Sequence, residues 1–305
     1  MNIYIIILFF VVIAIMRVIQ KVCSKVSSEQ ITDNKTFFAY GALYQCVAAT
    51  FALITVAFTG FHNFNTGLIV CSVLSAVLFA VDLFTGLEAV KGCSIAVATM
   101  FSLGGLVISV VVSYFWFGEE IKSYQIAGLC VFFVSAYLLS SKDGKSGEKI
   151  YAKTFLMLFV NFLANGLVMV VQKYFALKVE GANTPLFSFL TFMLCGIFMV
   201  ICFLFTLCKN KAKAIENRQD EEKKPVLNKK LIICGILLAL ALFLINIMIT
   251  EMGKTVSSII IFPVSSAICI IIATLVGYFV FKEKLSVKKI IGLLVGIASI
   301  IIIGI

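Results

Sequence analysis

Apolar residues run along this chain in stretches of membrane length, separated by short polar turns. Ten stretches can be marked: residues 3–22, 37–59, 67–88, 93–117, 124–140, 151–172, 185–207, 230–250, 255–281 and 288–304. A helix needs about 20 apolar residues to cross the bilayer core. The pattern therefore predicts an all-α polytopic membrane protein with ten transmembrane helices. The longest polar connection, 208–229, is too short and too charged to form a soluble core. The chain opens Met1-Asn2-Ile3-Tyr4, with no basic residues ahead of the first stretch and no small-residue cleavage site after it. That stretch is read as a permanent span and not as a cleaved leader.

The polar residues repeat. Asp82, Glu88, Lys91 and Ser94 in the first half match Asn246, Glu251, Lys254 and Ser257 in the second. Phe117-Gly118-Glu119-Glu120-Ile121 with Gly128 matches Phe281-Lys282-Glu283-Lys284-Leu285 with Gly292. Val18-Ile19-Gln20-Lys21 matches Val170-Val171-Gln172-Lys173. Aliphatic matches between long helices carry little information, so the polar matches make the repeat. Each copy holds five stretches, an odd number, and two such copies in one chain must face opposite ways across the bilayer. This is the inverted-repeat plan of many secondary transporters. The expected division is a first unit over 1–141, a polar linker over 142–149 and a second unit over 150–305.

Composition agrees and removes other classes. The chain is 62% hydrophobic and 13% charged, with mean hydropathy +1.12, against roughly half apolar and about a quarter charged for a soluble domain. The net charge of +10 has no basic fold or aromatic platform in water to serve, so nucleic acid is not an expected partner. The charges sort by loop. All but four of the 25 Lys and Arg lie in or nearest to loops that follow odd-numbered stretches, the exceptions being Lys122, Lys173, Lys178 and Lys254. The positive-inside rule then puts the odd loops in the cytoplasm and both termini outside, in the plasma membrane of a bacterium. The ten cysteines form no C-x-x-C pair and are read as small apolar packing groups.

The Phe-Gly-Glu and Phe-Lys-Glu segments, each followed by a Gly that opens the last span of its half, resemble the ends of the two EamA repeats. The chain thus resembles the EamA-like branch of the drug/metabolite transporter superfamily over nearly its whole length. The resemblance implies ten helices in two inverted five-helix repeats, with Glu119 and Glu283 as parts of the turn architecture. It implies transport of amino acids, metabolites, drugs or lipid-linked groups. It also implies cytoplasmic termini, where the lysine distribution here argues the opposite.

Candidate site residues follow from polar groups inside apolar runs. Asp82 lies about four residues from the centre of its stretch, roughly 6 Å along a helix. A charge at that depth is costly and usually faces a cavity. Asp82 is the candidate proton carrier and substrate contact, with a helix-locking acid as the alternative. Asn246 is its uncharged repeat partner. Asn161, Asn165 and Gln172 stand at i, i+4 and i+11 on one helix face. They either line a polar cavity or make interhelical hydrogen bonds, at about 0.6 kcal/mol each. Tyr44 and Gln45, with Tyr40 beside them, can pack on a solute, and Tyr40 reads equally as an interfacial anchor. Arg17 and Gln20, near the end of the first stretch, either contact an anion or snorkel to headgroups.

Glu88 with Lys91 and Glu251 with Lys254 are i,i+3 pairs of structural or gating character. Pro263 should kink the ninth stretch, and Ser102-Leu103-Gly104-Gly105 interrupts the fourth at the related place. Broken helices at corresponding positions point to a transport site, or to close packing of small residues. Ser123 and Ser286 are expected N-caps of the last span in each half.

These features predict a secondary transporter for a small polar metabolite, amino-acid-like or drug-like, working by alternating access. No cofactor or metal is expected, and no nucleotide-binding loop is present. A channel and a non-transporting receptor are the alternatives. An intramembrane enzyme is not expected: the single histidine, His62, sits in a loop, and no H-E-x-x-H or G-x-S-x-G occurs.

Overall fold

The structure is a computed structural model that describes residues 3–62, 64–92, 101–102, 104–140, 152–216, 226–279 and 287–304. The described residues form ten helices and no strand. In chain order these are α1 (Ile3–Gln30), α2 (Asn34–Thr59), α3 (Thr66–Gly92), α4 (Leu106–Phe117) and α5 (Ser123–Ser140). There follow α6 (Ala152–Lys178), α7 (Thr184–Glu216), α8 (Lys229–Gly253), α9 (Ser258–Phe279) and α10 (Val287–Gly304). Six, namely α1, α2, α3, α6, α7 and α8, are long and apolar enough to cross a membrane, and the other four contain shorter apolar segments. Apolar side chains such as Leu8, Phe58 and Phe205 cover the outside of the bundle. An all-helical fold suits a bilayer, because each helix satisfies its own backbone polar groups.

Local chemistry sets the helix ends. Asp33 caps α2 by accepting from the Thr36 N–H at 3.2 Å, and Asn228 caps α8 by accepting from the Leu231 N–H at 2.8 Å. Gly118 ends α4 in the left-handed conformation, φ +65°, where a Cβ would be strained. The expected cap at Ser123 is corrected. Ser123 is the first residue of α5, and the Gln125 side chain reaches back to the Lys122 N–H at 3.1 Å, the reciprocal half of a capping box. Ser286 lies outside the described residues, as do Ser94 and Glu283.

Helix lengths depart from the apolar stretches in two informative places. The first stretch was marked to residue 22, but α1 continues to Gln30, because Ser27 and Cys23 are buried against neighbouring helices. The fourth is broken, as expected: a turn falls at Gly105 and α4 starts at Leu106. Pro263 lies in the second turn of α9, which runs through it.

Packing joins distant parts of the chain. α2 lies along α7 and α5 along α10, while α3 pairs with α6 and α1 with α8. Beyond these, α2 meets α8 and α3 meets α7, and α1 meets α9 and α4 meets α6. Two hydrogen bonds between α5 and α10 are reciprocal. Ser135 donates to the Gly292 carbonyl at 2.7 Å, and Ser299 to the Gly128 carbonyl at 3.0 Å. These are the two glycines that the sequence repeat matches.

At Gly105 the backbone of the broken segment comes against α6. A Cβ there would stand 2.6 Å from the Gly166 nitrogen and 2.7 Å from the Phe162 carbonyl oxygen. Both neighbours are backbone, so neither can turn aside. Gly105→Ala is expected to lower stability by about 1–3 kcal/mol, measured by thermal unfolding of the purified protein in detergent. An unchanged unfolding temperature would mean that α4 and α6 can separate freely.

Candidate functional site

A polar cluster sits inside the apolar bundle where α3 meets α6. Asp82 lies close to the middle of α3, and Asn165 is the middle residue of the 27-residue α6. The Asn161 amide donates to the Asp82 Oδ1 and backbone carbonyl, each at 2.9 Å, and lies 3.3 Å from the Thr85 hydroxyl. The Asn165 amide donates to Asp82 Oδ1 at 3.2 Å and to Ser102 Oγ at 2.9 Å. One carboxylate oxygen thus receives donors from two consecutive turns of α6. The i, i+4 spacing makes this possible, because both asparagines face the same neighbour. Ser102 brings in the segment ahead of the Gly105 turn, so three parts of the chain converge.

Tyr44 is buried on α2, with the Gln45 amide 3.4 Å from its hydroxyl and its ring 5.7 Å from that of Tyr40. The interfacial-anchor reading of Tyr40 is corrected: its ring is buried and its hydroxyl accepts from Ser27 Oγ at 2.8 Å. Asn246, the repeat partner of Asp82, is in a different setting. It is buried on α8, and its Oδ1 accepts from Ser188 Oγ of α7 at 3.2 Å. Its Nδ2 is buried with no hydrogen-bond partner among the described residues. Gln172 is buried on α6, and no hydrogen bond among the described residues joins it to Asp82.

The expected charge pairs also reach beyond their own helices. Lys254 meets Glu251 at 2.7 Å, as expected, and also donates to the Ala182 carbonyl at 2.9 Å, which fastens α8 to the α6–α7 turn. Glu88 faces Lys153 of α6 at 3.7 Å, and the Lys153 side chain is 76% exposed. Such a pair contributes at most about 1 kcal/mol. Lys91 lies on α3, with its side chain outside the described residues.

Sequence reasoning missed the most buried ion pair among the described residues. Lys173 is buried inside the bundle. Its side chain is 3% exposed, and its ammonium lies 2.9 Å from Glu119 and 2.8 Å from the Val256 carbonyl. Glu119 in turn accepts from Ser257 Oγ at 2.9 Å and from the Ser258 N–H at 3.0 Å. The carboxylate therefore caps α9, where negative charge is favoured. Glu119 is more than a turn residue: it ties the end of α4 to α6 and α9. The matched Gln-Lys, Glu and Ser positions of the repeat were the available signal. Among the described residues no cluster of His, Cys, Asp and Glu could hold a metal ion.

A solved crystal structure resembles this fold with a TM-score of 0.68 over 97% of this chain and 94% of the other, at 13% sequence identity. That degree of identity bears on the fold alone. No curated protein matches the sequence. The sequence model of the EamA-like transporter family matches residues 152–305. With half of the chain matched and its helices apolar enough to span a bilayer, this is an integral membrane protein that belongs to the EamA-like transporter family, within the drug/metabolite transporter superfamily.

Proposed function

We propose that this protein is a secondary transporter that carries a small polar metabolite, amino-acid-like or drug-like, across a bacterial plasma membrane by alternating access. The observation that carries the reading is the Asp82 cluster. A carboxylate held by Asn161 and Asn165 at mid-depth is costly in an apolar bundle and is retained where a solute or proton must pass. Asp82 serves as proton carrier and solute contact. Asn161, Asn165, Tyr44 and Gln45 supply neighbouring polar contacts, and Asn246 and Gln172 line the remainder of the route.

The moving parts are two inverted five-helix halves, 1–141 and 150–305, rocking about this site. Support comes from the helix pairs. Exchanging the first five helices for the last five turns the α1–α8 pair into α6–α3, α2–α8 into α7–α3 and α1–α9 into α6–α4. The reciprocal Ser135–Gly292 and Ser299–Gly128 bonds obey the same exchange. Glu119 of the first half holds Lys173 and α9 of the second, which would close one end of the route. The repeat supplies the same residue types again as Lys21, Glu283 and Ser94, as a matching closure at the opposite face requires.

The test is counterflow in liposomes, preceded by a thermal-shift screen of a metabolite library. Saturable exchange of at least one stabilising solute is expected. Unsaturable flux would indicate a channel. Stabilisation without exchange by every solute that binds would indicate a receptor.

A further inference from the structure

Arg17 occupies a position that its place in the sequence conceals. Because α1 runs to Gln30, its register is fixed by antiparallel contact with α8. Asn228 donates to Gln30 at 2.8 Å, Cys23 meets Cys234, and Ile13 joins a core cluster with Ile245 and Ile249. On that register Arg17 falls opposite about residue Ala241, the middle of α8 (Lys229–Gly253). It is at mid-depth, too far from either end of α1 for the guanidinium to snorkel.

Its face of the helix is equally defined. At about 100° per residue, Arg17 stands about 40° from Ile13, which is fully buried, while Val11, Ile15 and Val18 on the far side are exposed. The side chain is therefore on the protein-facing side of α1 and not toward lipid. Its η1 nitrogen donates to Gln20 Oε1 at 2.7 Å. Its ε nitrogen is buried with no hydrogen-bond partner, and it forms no ion pair among the described residues. Gln20 is one turn away on the same helix, so it orients the guanidinium without neutralising it. The contact also ties α1 to no other helix. A structural arginine at this depth would be paired with a carboxylate or would bridge helices; among the described residues Arg17 does neither.

We propose that Arg17 is the anion-binding residue of the transport route and that the transported solute carries an oxyanion, a carboxylate or a phosphate. A guanidinium matches both groups through paired N–H donors. With Asp82 as the carboxylate of the proposed route, an amino-acid-like zwitterion, with its carboxylate on Arg17 and its amine toward Asp82, is the first class to examine. The proposal rests on the transporter reading but can be tested without transport.

The experiment is equilibrium binding and thermal shift of the purified full chain with amino acids, their decarboxylated amines, and phosphate monoesters. Stabilisation by at least one carboxylate or phosphate, and not by the matching amine, is expected. Arg17→Gln should weaken that binding by about tenfold or more. Arg17→Lys, which keeps the charge, should restore part of it. The amine and phosphate arms decide which oxyanion is read. The proposal is overturned if only oxyanion-free solutes bind the unmodified protein, or if Arg17→Gln keeps its affinity. If Arg17→Gln does not fold, an unchanged affinity in both Arg17→Lys and Gln20→Leu overturns it as well. Binding that depends on Arg17 without any counterflow would sink the transporter reading and leave this one standing.

Discussion

Glu119→Gln is expected to lower stability by about 3–5 kcal/mol, because it leaves a buried ammonium without its counter-charge. Lys173 is 3% exposed, and its remaining partner would be the Val256 carbonyl. A glutamine can still accept from Ser257 and the Ser258 N–H, so the α9 cap would survive while the charge would not. Lys173→Met should cost less, since Glu119 keeps the two donors at the start of α9. The double variant Glu119→Gln/Lys173→Met should cost clearly less than the two single effects added, because it buries no unpaired charge. Thermal unfolding in detergent, read as a double-mutant cycle, provides the comparison. Simple additivity would show that the two groups do not interact.

The second large effect is expected at Asp82. Asp82→Asn keeps the shape of the side chain and an oxygen for the Asn161 and Asn165 amides, so the helices should stay together. What it removes is the titratable group. Solute accumulation driven by a pH gradient in proteoliposomes should fall to background, while solute-for-solute counterflow, which loses one solute contact, should weaken without disappearing. A variant with unchanged pH dependence would rule out Asp82 as the proton carrier. Loss of both activities would place Asp82 in solute binding itself.

Asp82 was visible in the sequence because a carboxylate in an apolar run is conspicuous. Asn161 and Asn165 were visible because helical spacing puts them on one face. That those three residues meet was not visible, since nothing in a local period says which face of α3 lies against which face of α6. Thr85 and Ser102 entered the site for the same reason: a hydroxyl in an apolar helix usually satisfies itself on its own backbone, as Thr85 also does with the Val81 carbonyl at 2.7 Å. Asn246, the repeat partner of Asp82, is bound by Ser188 of α7 and not by an asparagine pair, since the α1 residue that answers to Asn161 is Phe9, which offers no donor.

By itself, the sequence determined the helical membrane architecture and the family, because these follow from apolar length, the cost of bare backbone in lipid, and matched polar positions. Only the tertiary structure decided that Lys173 is buried against Glu119 and that Arg17 lies at mid-depth on an inward face. Both depend on helix register. An apolar stretch sets how long a helix can remain in the bilayer, but contacts with neighbouring helices set how far it continues and at what depth each residue stands. That is why α1 outlasts its apolar stretch, and why an arginine near the end of that stretch lies opposite the middle of α8.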